Sequence, residues 1–409
     1  MNGISRRNLL KGATILGGAA ALNVSPAFLK FGLGEQPIKW GSLHPLTGGL
    51  AEMAADQKLA VEIAIDDINA AGGVMGRPVV GVFRDTEFDG AIARRKAIEL
   101  LEKEKIDLMA GALSGPEELA LNDLAKKNNI FYGCYTQYMV DNKASFHKYT
   151  FTANVTPYQS AAAGAIWAAE KIKGKRWHLL ADNYSWPKMF VPVYERIAKK
   201  YGAQWTGETW APFPSTDYSS YIPKVQAVKP DVLFCVVWGS GHINLIKQMQ
   251  EFGVVKDMAV IFAVSDLPWA MAAGPGKFNG IYAGMLWFWG LEEKYPATKA
   301  FNKKFIAKQN RYSSAYGCAA YELTRMTLDT ANEIKSLDHA KLSKALEGHK
   351  FKYLKGETMV RACDHDYISE FFIVKGKSEN KMANKFDHYD LVHSVSGEDA
   401  AMPCSEKGL

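Results

Sequence analysis

The feature that most constrains the fold of this chain is a regular alternation of strand-like and helix-like blocks. From Ile38 onward, short apolar runs such as RPVVGVFRD, IDLMAGAL and NIFYGCYT are separated by blocks with helical spacing, such as AIARRKAIELLEKE. A second series of the same kind begins near Ser160. Alternation of this length is typical of parallel sheets with helices on both faces. The chain is therefore predicted to adopt an α/β fold with two doubly wound halves.

The first 27 residues differ in composition from the rest. Arg6 and Arg7 precede an apolar run, residues 13–24, which is followed by the small residues of a Ser-Pro-Ala cleavage site. This run is far shorter than the ~20 residues that span a bilayer, so residues 1–27 are predicted to be a signal peptide. The paired arginines resemble a twin-arginine export signal, which predicts a periplasmic location.

The charge of the chain gives little support for nucleic-acid binding. The net charge is +6 at neutral pH, and three of the cations, Arg6, Arg7 and Lys11, lie in the predicted signal peptide. The remaining lysines are scattered along the sequence. A nucleic-acid-binding protein would instead concentrate its cations in a patch or stripe.

The chain contains five cysteines, none of them in a Cys-x-x-Cys pair. Structural zinc and thioredoxin-type redox chemistry are therefore not expected. An exported protein can keep disulfides, and Cys363 with Cys404, both in the C-terminal region, is the predicted pair. Cys235 lies in the apolar run DVLFCVVW and is predicted to be a buried thiol.

The stretch GALSGPEELA supports two interpretations of Ser114. Ser114 and Glu117 have the spacing of a capping box, in which each side chain satisfies a free N–H group at a helix start. The same helix start, with its free N–H groups and its dipole, could also hold an anion. The residues alone leave both roles open.

Three further stretches resemble one family. They are GSLHPLTGGLAEMAADQKLAVEIAIDDINAAGGVMGRPV, STDYSSYIPKVQAVKPDVLF and the run RACDH that starts at Arg361. They resemble the solute-binding proteins of branched-chain amino acid (Leu/Ile/Val-binding) ABC transporters, the type I periplasmic binding proteins. The resemblance covers most of residues 38–380 and implies two Rossmann-like lobes joined by a three-strand hinge. It places residues 28–156 and 287–357 in lobe 1, and residues 157–286 and 358–409 in lobe 2.

The resemblance also implies a ligand carboxylate site in lobe 1. Ser114 lies where family members present a loop to the carboxylate, and Thr136 matches a hydroxyl-bearing position after the next strand. Backbone N–H groups near Cys134 and Tyr135 would complete the site. His44 lies in a neighbouring loop, and the sequence leaves open whether its ring faces the cleft or caps the adjacent helix.

Lobe 2 would supply the other contacts. Trp186 falls where the family often places an aromatic residue that closes over the ligand, and Trp238 occupies a similar loop after an apolar strand. Asp266 lies near the position of an acid that holds a ligand amine, although the alignment could equally place Ser265 there. The stretch DNYSWPK also resembles the amide- and urea-binding branch of the family.

Enzymatic chemistry and metal binding have little support in the sequence. Adjacent residues of a strand point to opposite faces, so the run Asp364-His365-Asp366 cannot easily grip one ion. Ser240 lies between two glycines but lacks the Gly-x-Ser-x-Gly elbow. Neither a phosphate-binding P-loop nor a dinucleotide-binding fingerprint is present. We therefore expect a chain that is not an enzyme and has no cofactor.

These observations predict a monomeric, exported receptor that closes around a small carboxylate-bearing solute, a branched-chain or related amino acid. The receptor would deliver this solute to a membrane permease of an ABC transporter. Two alternatives remain open: a binder of an amide, urea or aromatic acid, and a sensory module that reports occupancy without transport.

Overall fold

The computed structural model describes residues 36–137 and 146–407. The predicted signal peptide, residues 1–27, lies outside the described residues. Two large sheets and one small sheet organise the chain, each large sheet lying in its own lobe. None of the helices in the described ranges is long and apolar enough to cross a membrane.

Lobe 1 is built on a five-stranded parallel sheet of order β2-β1-β3-β4-β5. Its strands are β1 (Ile38–His44), β2 (Val79–Asp85), β3 (Leu108–Gly111), β4 (Tyr132–Cys134) and β5 (Thr150–Thr152). The three interior strands β1, β3 and β4 are almost entirely buried, as expected for a parallel sheet with helices on both faces. This order confirms the α/β alternation predicted from the sequence.

Six helices cover the lobe 1 sheet, three from each of two stretches of the chain. They are α1 (Ala51–Ala70), α2 (Gly90–Glu99), α3 (Gly115–Asn128), α10 (Pro296–Gln309), α11 (Ala315–Glu333) and α12 (His339–Leu346). Helix α11 packs along α1, and an ion pair between Arg311 and the fully buried Asp56 holds the start of α11 against α1. The lobe is therefore completed only by the second stretch.

Lobe 2 is built on a seven-stranded sheet of order β15-β14-β10-β9-β8-β6-β7. Its strands are β6 (Arg176–Asp182), β7 (Gln204–Ala211), β8 (Val232–Val236), β9 (Ala259–Phe262), β10 (Tyr282–Met285), β14 (Phe371–Gly376) and β15 (Tyr389–Val395). Strands β14 and β15 run antiparallel and close one edge. Its helices are α4 (Pro157–Trp167), α5 (Ser185–Lys188), α6 (Val191–Tyr201), α7 (Ile222–Val228), α8 (Gly239–Glu251), α9 (Leu267–Ala273) and α13 (Gly397–Ala400).

The small sheet corrects one predicted boundary. It contains β11 (Lys350–Tyr353), β12 (Gly356–Val360) and β13 (Tyr367–Ile368), all antiparallel. Glu322 of α11 accepts hydrogen bonds from the Leu354 N–H at 3.0 Å and the Tyr367 hydroxyl at 2.9 Å, so this sheet belongs to lobe 1. The predicted boundary between residues 357 and 358 falls inside β12 and is wrong. Because a paired strand stays with its sheet, the chain crosses between the lobes at residues 369–370 instead.

The chain crosses between the lobes at two further places. One joins β5 to α4 near Thr156, and the second follows β10, near residue 286. The structure also joins Cys363 to Cys404 by a disulfide, the pair expected from the sequence. Cys134, Cys235 and Cys318 are free and buried.

Candidate ligand-binding cleft

The lobes face each other through the carboxyl ends of their parallel strands, where open α/β sheets place ligand sites. An apolar cluster spans this junction. Its buried members are Met53, Ala54 and Leu113 of lobe 1, Trp269 of lobe 2, and Tyr316 at the start of α11; Leu46, Leu50, Trp238 and Ile243 pack against them. We refer to these nine residues as the inter-lobe cluster. Apolar surface is thus shared between the lobes at the position where a ligand would lie.

Trp238 is the centre of the aromatic part of this junction. Its ring makes edge-to-face contacts with Trp186, Trp269 and Tyr316 at centroid distances of 5.7, 4.6 and 5.8 Å. Edge-to-face geometry is a favoured arrangement of aromatic rings. Both tryptophans predicted from the sequence, Trp186 and Trp238, therefore lie together at the cleft, and Trp269 and Tyr316 join them.

Gln137 connects the lobes beside this aromatic group. It follows β4 of lobe 1, and its side-chain oxygen accepts a 2.8 Å hydrogen bond from the Trp186 indole N–H. Its amide N–H donates at 2.8 Å to the Ser160 hydroxyl of α4 in lobe 2. Gln137 was not predicted from the sequence, although its position directly after a strand that ends at the cleft is a signal that indicates it.

A cavity of about 20 Å³ lies at the base of the cleft. Its lining includes Gln137 and Asn154 from lobe 1, Ser265 from lobe 2, and Ala315 and Tyr316 from α11. This volume is close to what one water molecule needs. Polar groups from both lobes therefore converge on a space that is small in this conformation.

Ser114 forms a complete capping box at the start of α3. Its hydroxyl donates to a Glu117 carboxylate oxygen at 2.7 Å, and the Glu117 backbone N–H donates back to that hydroxyl at 3.5 Å. The same carboxylate also accepts from the Ser114 N–H at 2.9 Å and from the Thr86 hydroxyl. The capping interpretation is confirmed, and the carboxylate of Glu117 lies at the helix start where a ligand anion was expected.

The other predicted carboxylate donors also have partners within lobe 1. The Tyr135 backbone N–H donates to the Gly111 carbonyl at 3.0 Å, and the Thr136 hydroxyl donates to the Leu113 carbonyl at 3.3 Å. The Tyr135 ring points into the core, and Cys134 is fully buried. In this conformation the Tyr135 N–H, expected to contact the ligand, is a structural donor instead.

Asp266 caps two helices, one in each lobe. Its carboxylate accepts from the Leu267 N–H of α9 at 2.7 Å, and both oxygens accept from the Ala315 N–H of α11 at 3.1 and 3.0 Å. Burial raises its pKa to about 8, although these N–H groups act in the opposite direction. Ser265, the alternative left open by the sequence, is the one of the two that lines the cavity.

Two histidines near the cleft are structural. The His44 ring is buried between the Ser42 hydroxyl at 2.8 Å and the Gln57 side-chain oxygen at 3.2 Å, so it neither faces the cleft nor caps a helix. His242 bonds the Ser265 hydroxyl at 3.1 Å, and burial lowers the pKa of His242 to about 3. A general base works best with a pKa near the operating pH, so this pair is a poor catalytic dyad.

The run Asp364-His365-Asp366 is also structural. Asp364 and Asp366 form ion pairs with Arg361 and Lys407. His365 bonds the Thr150 carbonyl through Nδ1 at 2.8 Å. Each of the three side chains therefore has a protein partner.

The arrangement of two lobes, three crossings and a cleft at the strand ends agrees with the comparison to known families. The family model for periplasmic binding proteins matches residues 37–381. This chain belongs to that family. The match covers both lobes of this periplasmic binding protein, including all three crossings.

Individual relatives of this periplasmic binding protein are distant. The Leu/Ile/Val-binding protein homolog 8 of Brucella suis biovar 1 (strain 1330) is 23% identical over 274 residues, which cover 64% of this chain and 68% of that protein. An amino acid ABC transporter substrate-binding protein from Pseudomonas fluorescens Pf-5 superposes with a TM-score of 0.84 at 21% identity, covering 91% of this chain and 98% of that one.

A second solved structure has a ligand in its name. It is a solute-binding protein of an ABC transporter from Rhodopseudomonas palustris BisB5 in complex with 3,4-dihydroxy benzoic acid. It superposes with a TM-score of 0.77 at 18% identity, covering 88% of this chain and 98% of that one. At this identity the likeness supports the shared two-lobed fold alone.

Proposed function

We propose that this chain is the exported substrate-binding protein of an ABC transporter and captures a small carboxylate-bearing solute, a branched-chain or related amino acid. Membership of the periplasmic binding protein family supports the class of function. The names of the Brucella relatives support the amino acid class. The predicted signal peptide supports a periplasmic location, and the partner would be the membrane permease.

The observation that carries the proposal is the inter-lobe cluster. Trp238 and Trp269 from lobe 2 face Leu50, Met53 and Leu113 from lobe 1 across the cleft. Burying apolar surface is favourable by about 25 cal/mol for each Å² removed from water. An apolar ligand body that inserts between these residues would be covered from both sides, whereas one lobe alone could cover only one side.

Closure would be the mechanism of capture. A ligand that contacts both lobes when they are closed, and one lobe when they are open, favours the closed state by its additional contacts. Gln137 bonds Trp186 and Ser160 across the lobes, so these two hydrogen bonds would form when the lobes close and stabilise the closed state. The closed form would then be the one recognised by the permease.

The head group of the ligand has two sets of possible partners. Gln137 lines the cavity and could bond a carboxylate or amide directly, whereas the Ser265 hydroxyl, which bonds His242, could accept from an N–H group of a ligand. Ser114 and Thr136 could contribute only after their hydroxyls leave Glu117 and the Leu113 carbonyl. We propose Gln137 and Ser265 as the first polar contacts, with Trp186 and Trp238 against the apolar body.

An aromatic acid is the second candidate ligand. The cleft brings together Trp186, Trp238, Trp269 and Tyr316, and flat rings stack favourably on such a surface. None of the ten residues that line the cavity carries a charge of either sign, so a zwitterion would leave two charges without a partner there. A compound with a large ring and a single charge therefore suits this surface at least as well as an aliphatic zwitterion.

A thermal-shift screen of the mature protein tests the proposal. The panel contains leucine, isoleucine and valine, the aromatic acids benzoate and 3,4-dihydroxybenzoate, short amides and urea, with glucose as a negative control. A ligand that binds only the folded state at 100 times its Kd adds about 2.7 kcal/mol to the free energy of unfolding. A rise with the aliphatic amino acids supports the first candidate, and a rise with aromatic acids alone supports the second. Titration calorimetry showing no heat with any of these compounds would overturn both.

A further inference from the structure

The C-terminal segment, residues 396–407, belongs to lobe 2. It follows β15 of the lobe 2 sheet, and its helix α13 packs against α4. Ala400 is part of the lobe 2 core. Near its end, Glu406 forms an ion pair with Arg196 of α6, in which Nη2 lies 3.2 Å from Oε1. Packing and charge therefore both fix this segment to lobe 2.

The loop between β12 and β13, residues 361–366, belongs to lobe 1. Its His365 ring stacks on Phe151 of β5 with a centroid distance of 4.1 Å and bonds the Thr150 carbonyl. His365 Nε2 also lies 3.6 Å from a carboxylate oxygen of Glu347, which follows α12. Both strands that flank the loop are part of the small sheet on α11. The loop is therefore held by the lobe 1 core.

These two elements are joined across the lobes by a covalent bond and by charges. The disulfide links Cys363 of the loop to Cys404 of the segment, with 6.3 Å between the Cα atoms. Lys407 of the segment lies 2.8 Å from Asp364 and 2.6 Å from Asp366 of the loop. In the other direction, Arg361 of the loop donates to the Met402 carbonyl of the segment at 2.8 Å.

The charged part of this junction is balanced, and both of its carboxylates are buried. Asp364 and Asp366 are each 1% exposed, and the two cations Arg361 and Lys407 lie between them. A buried charge that loses its partner is left uncompensated, which is strongly unfavourable. The segment therefore cannot move away from the loop without exposing or isolating several charges at once.

The junction also lies directly beside a crossing. The backbone of Gly397 approaches Ser369, at the third crossing, so closely that a Cβ on Gly397 would lie 2.5 Å from the Ser369 carbonyl oxygen. Three chain crossings alone allow rotation about the hinge that they form. A fourth attachment, made of a covalent bond and buried ion pairs, restrains that rotation.

We propose that the C-terminal segment is a fourth connection between the lobes, and that it limits how far the cleft opens. The segment works through the disulfide Cys363–Cys404 and through Lys407, which bind it to the lobe 1 loop. Removing either attachment leaves the three crossings intact and increases the range of opening. This device does not depend on which solute the cleft binds.

Two variants test the proposal without any ligand. Cys363→Ser/Cys404→Ser removes the covalent bond, and Lys407→Ala removes the central cation while keeping that bond. Lys350→Ala is the matched control, because Lys350 pairs at 3.0 Å with Glu357 on the exposed face of lobe 1 alone. Small-angle X-ray scattering measures the radius of gyration, and hydrogen–deuterium exchange measures the backbone of the first and third crossings, residues 150–156 and 367–372.

We expect both junction variants to have a larger radius of gyration than the wild type and several-fold faster exchange at the crossings. Exchange in the buried strand β8, within the lobe 2 core, is the internal reference and should stay unchanged. If the disulfide variant fails to fold, Lys407→Ala provides the same comparison. Unchanged scattering and unchanged exchange at the crossings, with only a lower melting temperature, would overturn the proposal. The junction would then stabilise the fold without limiting the opening of the cleft.

Discussion

The Trp186 indole N–H donates a 2.8 Å hydrogen bond to the Gln137 side-chain oxygen, and the two residues lie on different lobes. Because Gln137 also donates to Ser160, one amide holds two elements of lobe 2 against lobe 1. This amide is the polar link between the lobes nearest to the aromatic rings of the cleft. A substitution of Gln137 should therefore weaken closure of the lobes without disturbing the apolar core of either lobe.

Gln137→Ala should weaken solute binding. The substitution removes both hydrogen bonds of Gln137, each of which contributes about 1 kcal/mol, so affinity should fall by roughly 5- to 30-fold. Gln226→Ala is the matched control, since the Gln226 amide bonds the Phe252 carbonyl within lobe 2, away from the cleft. Titration calorimetry with the strongest ligand of the thermal-shift panel makes the measurement. Equal affinities for both variants would exclude Gln137 from closure.

Ser114→Ala should lower stability and leave binding unchanged. It removes the capping box of α3, and loss of an N-cap residue costs about 1 kcal/mol in the free energy of unfolding. Asp338→Ala, which removes the N-cap of α12 far from the cleft, should cost a similar amount. Urea unfolding and calorimetry of both variants separate the two properties. Loss of affinity in Ser114→Ala alone would show that this hydroxyl contacts the ligand carboxylate after all.

Asp266→Asn tests whether this acid contacts a ligand amine. The substitution keeps one oxygen acceptor and replaces the other by an NH2 group, which cannot accept the second contact from the Ala315 N–H, so the cap of α11 should weaken and stability should fall by about 1 kcal/mol. Because its carboxylate is occupied by backbone N–H groups, we expect leucine and benzoate binding to change by the same small factor. A selective loss of leucine binding, measured against benzoate, would restore the amine-binding role predicted from the sequence.

Glu118 should make the protein less stable as the pH rises. Burial raises its pKa from 4.5 to about 8, and neither carboxylate oxygen has a hydrogen-bond partner among the described residues. Between these two pKa values the folded state keeps a proton that the unfolded state has lost. The free energy of unfolding should therefore fall by up to about 1.4 kcal/mol per pH unit in this window. Asp266 acts with the same sign.

Glu118→Gln should remove this contribution. At pH 8 the variant should be more stable than the wild type, and the difference should disappear toward pH 4.5. Guanidinium unfolding across this range makes the measurement, and Glu102→Gln on the exposed surface is the control. A variant whose stability runs parallel to that of the wild type at every pH would mean that Glu118 does not keep its proton in the folded state.

Buried histidines should produce the opposite slope at lower pH. Burial lowers the pKa of His44 and of His147 to about 4, and that of His242 to about 3. Below pH 6.5 these histidines are therefore protonated in the unfolded state but still neutral in the folded state. The free energy of unfolding falls as the pH falls. Together with Glu118 and Asp266, these groups should give a maximum of stability near about pH 6. A urea-unfolding series from pH 4 to 8 should show this maximum.

Local patterns were sufficient to predict the two lobes and to offer the cap of α3 as one of two roles for Ser114. The alternation of apolar runs with helical periods specifies parallel strands, and the spacing of Ser114 and Glu117 specifies a cap, because both depend on neighbours in the sequence. The third crossing was placed too early because the pairing of β12 with β13 joins residues across a loop. The periodicity of apolar residues predicts that a segment is a strand, but it does not predict which other strand pairs with it.

The candidate site was less accessible from the sequence for a similar reason. Trp186 and Trp238 were predicted as ligand contacts, and the structure brings their rings to 5.7 Å from each other, since each follows a strand of the lobe 2 sheet. The partners of Asp266 and of Gln137 lie in other segments, 49 residues away for Ala315 and 49 residues away for Trp186. Only the folded chain shows that backbone N–H groups occupy the Asp266 carboxylate and that the Gln137 amide joins the lobes.

The division of lobe 1 into two stretches has a consequence for the order in which the chain can fold. Arg311 and Asp56, which fasten α11 to α1, are 255 residues apart, so lobe 1 cannot be completed until most of the chain has been synthesised. Lobe 2 has five of its seven strands in one continuous stretch, residues 157–286. Contacts between distant residues form slowly because a long loop must close first. The apolar face of α1 therefore stays without α11, its main helical partner, while lobe 2 assembles, and this first helix of the described residues is among the last to be fully covered.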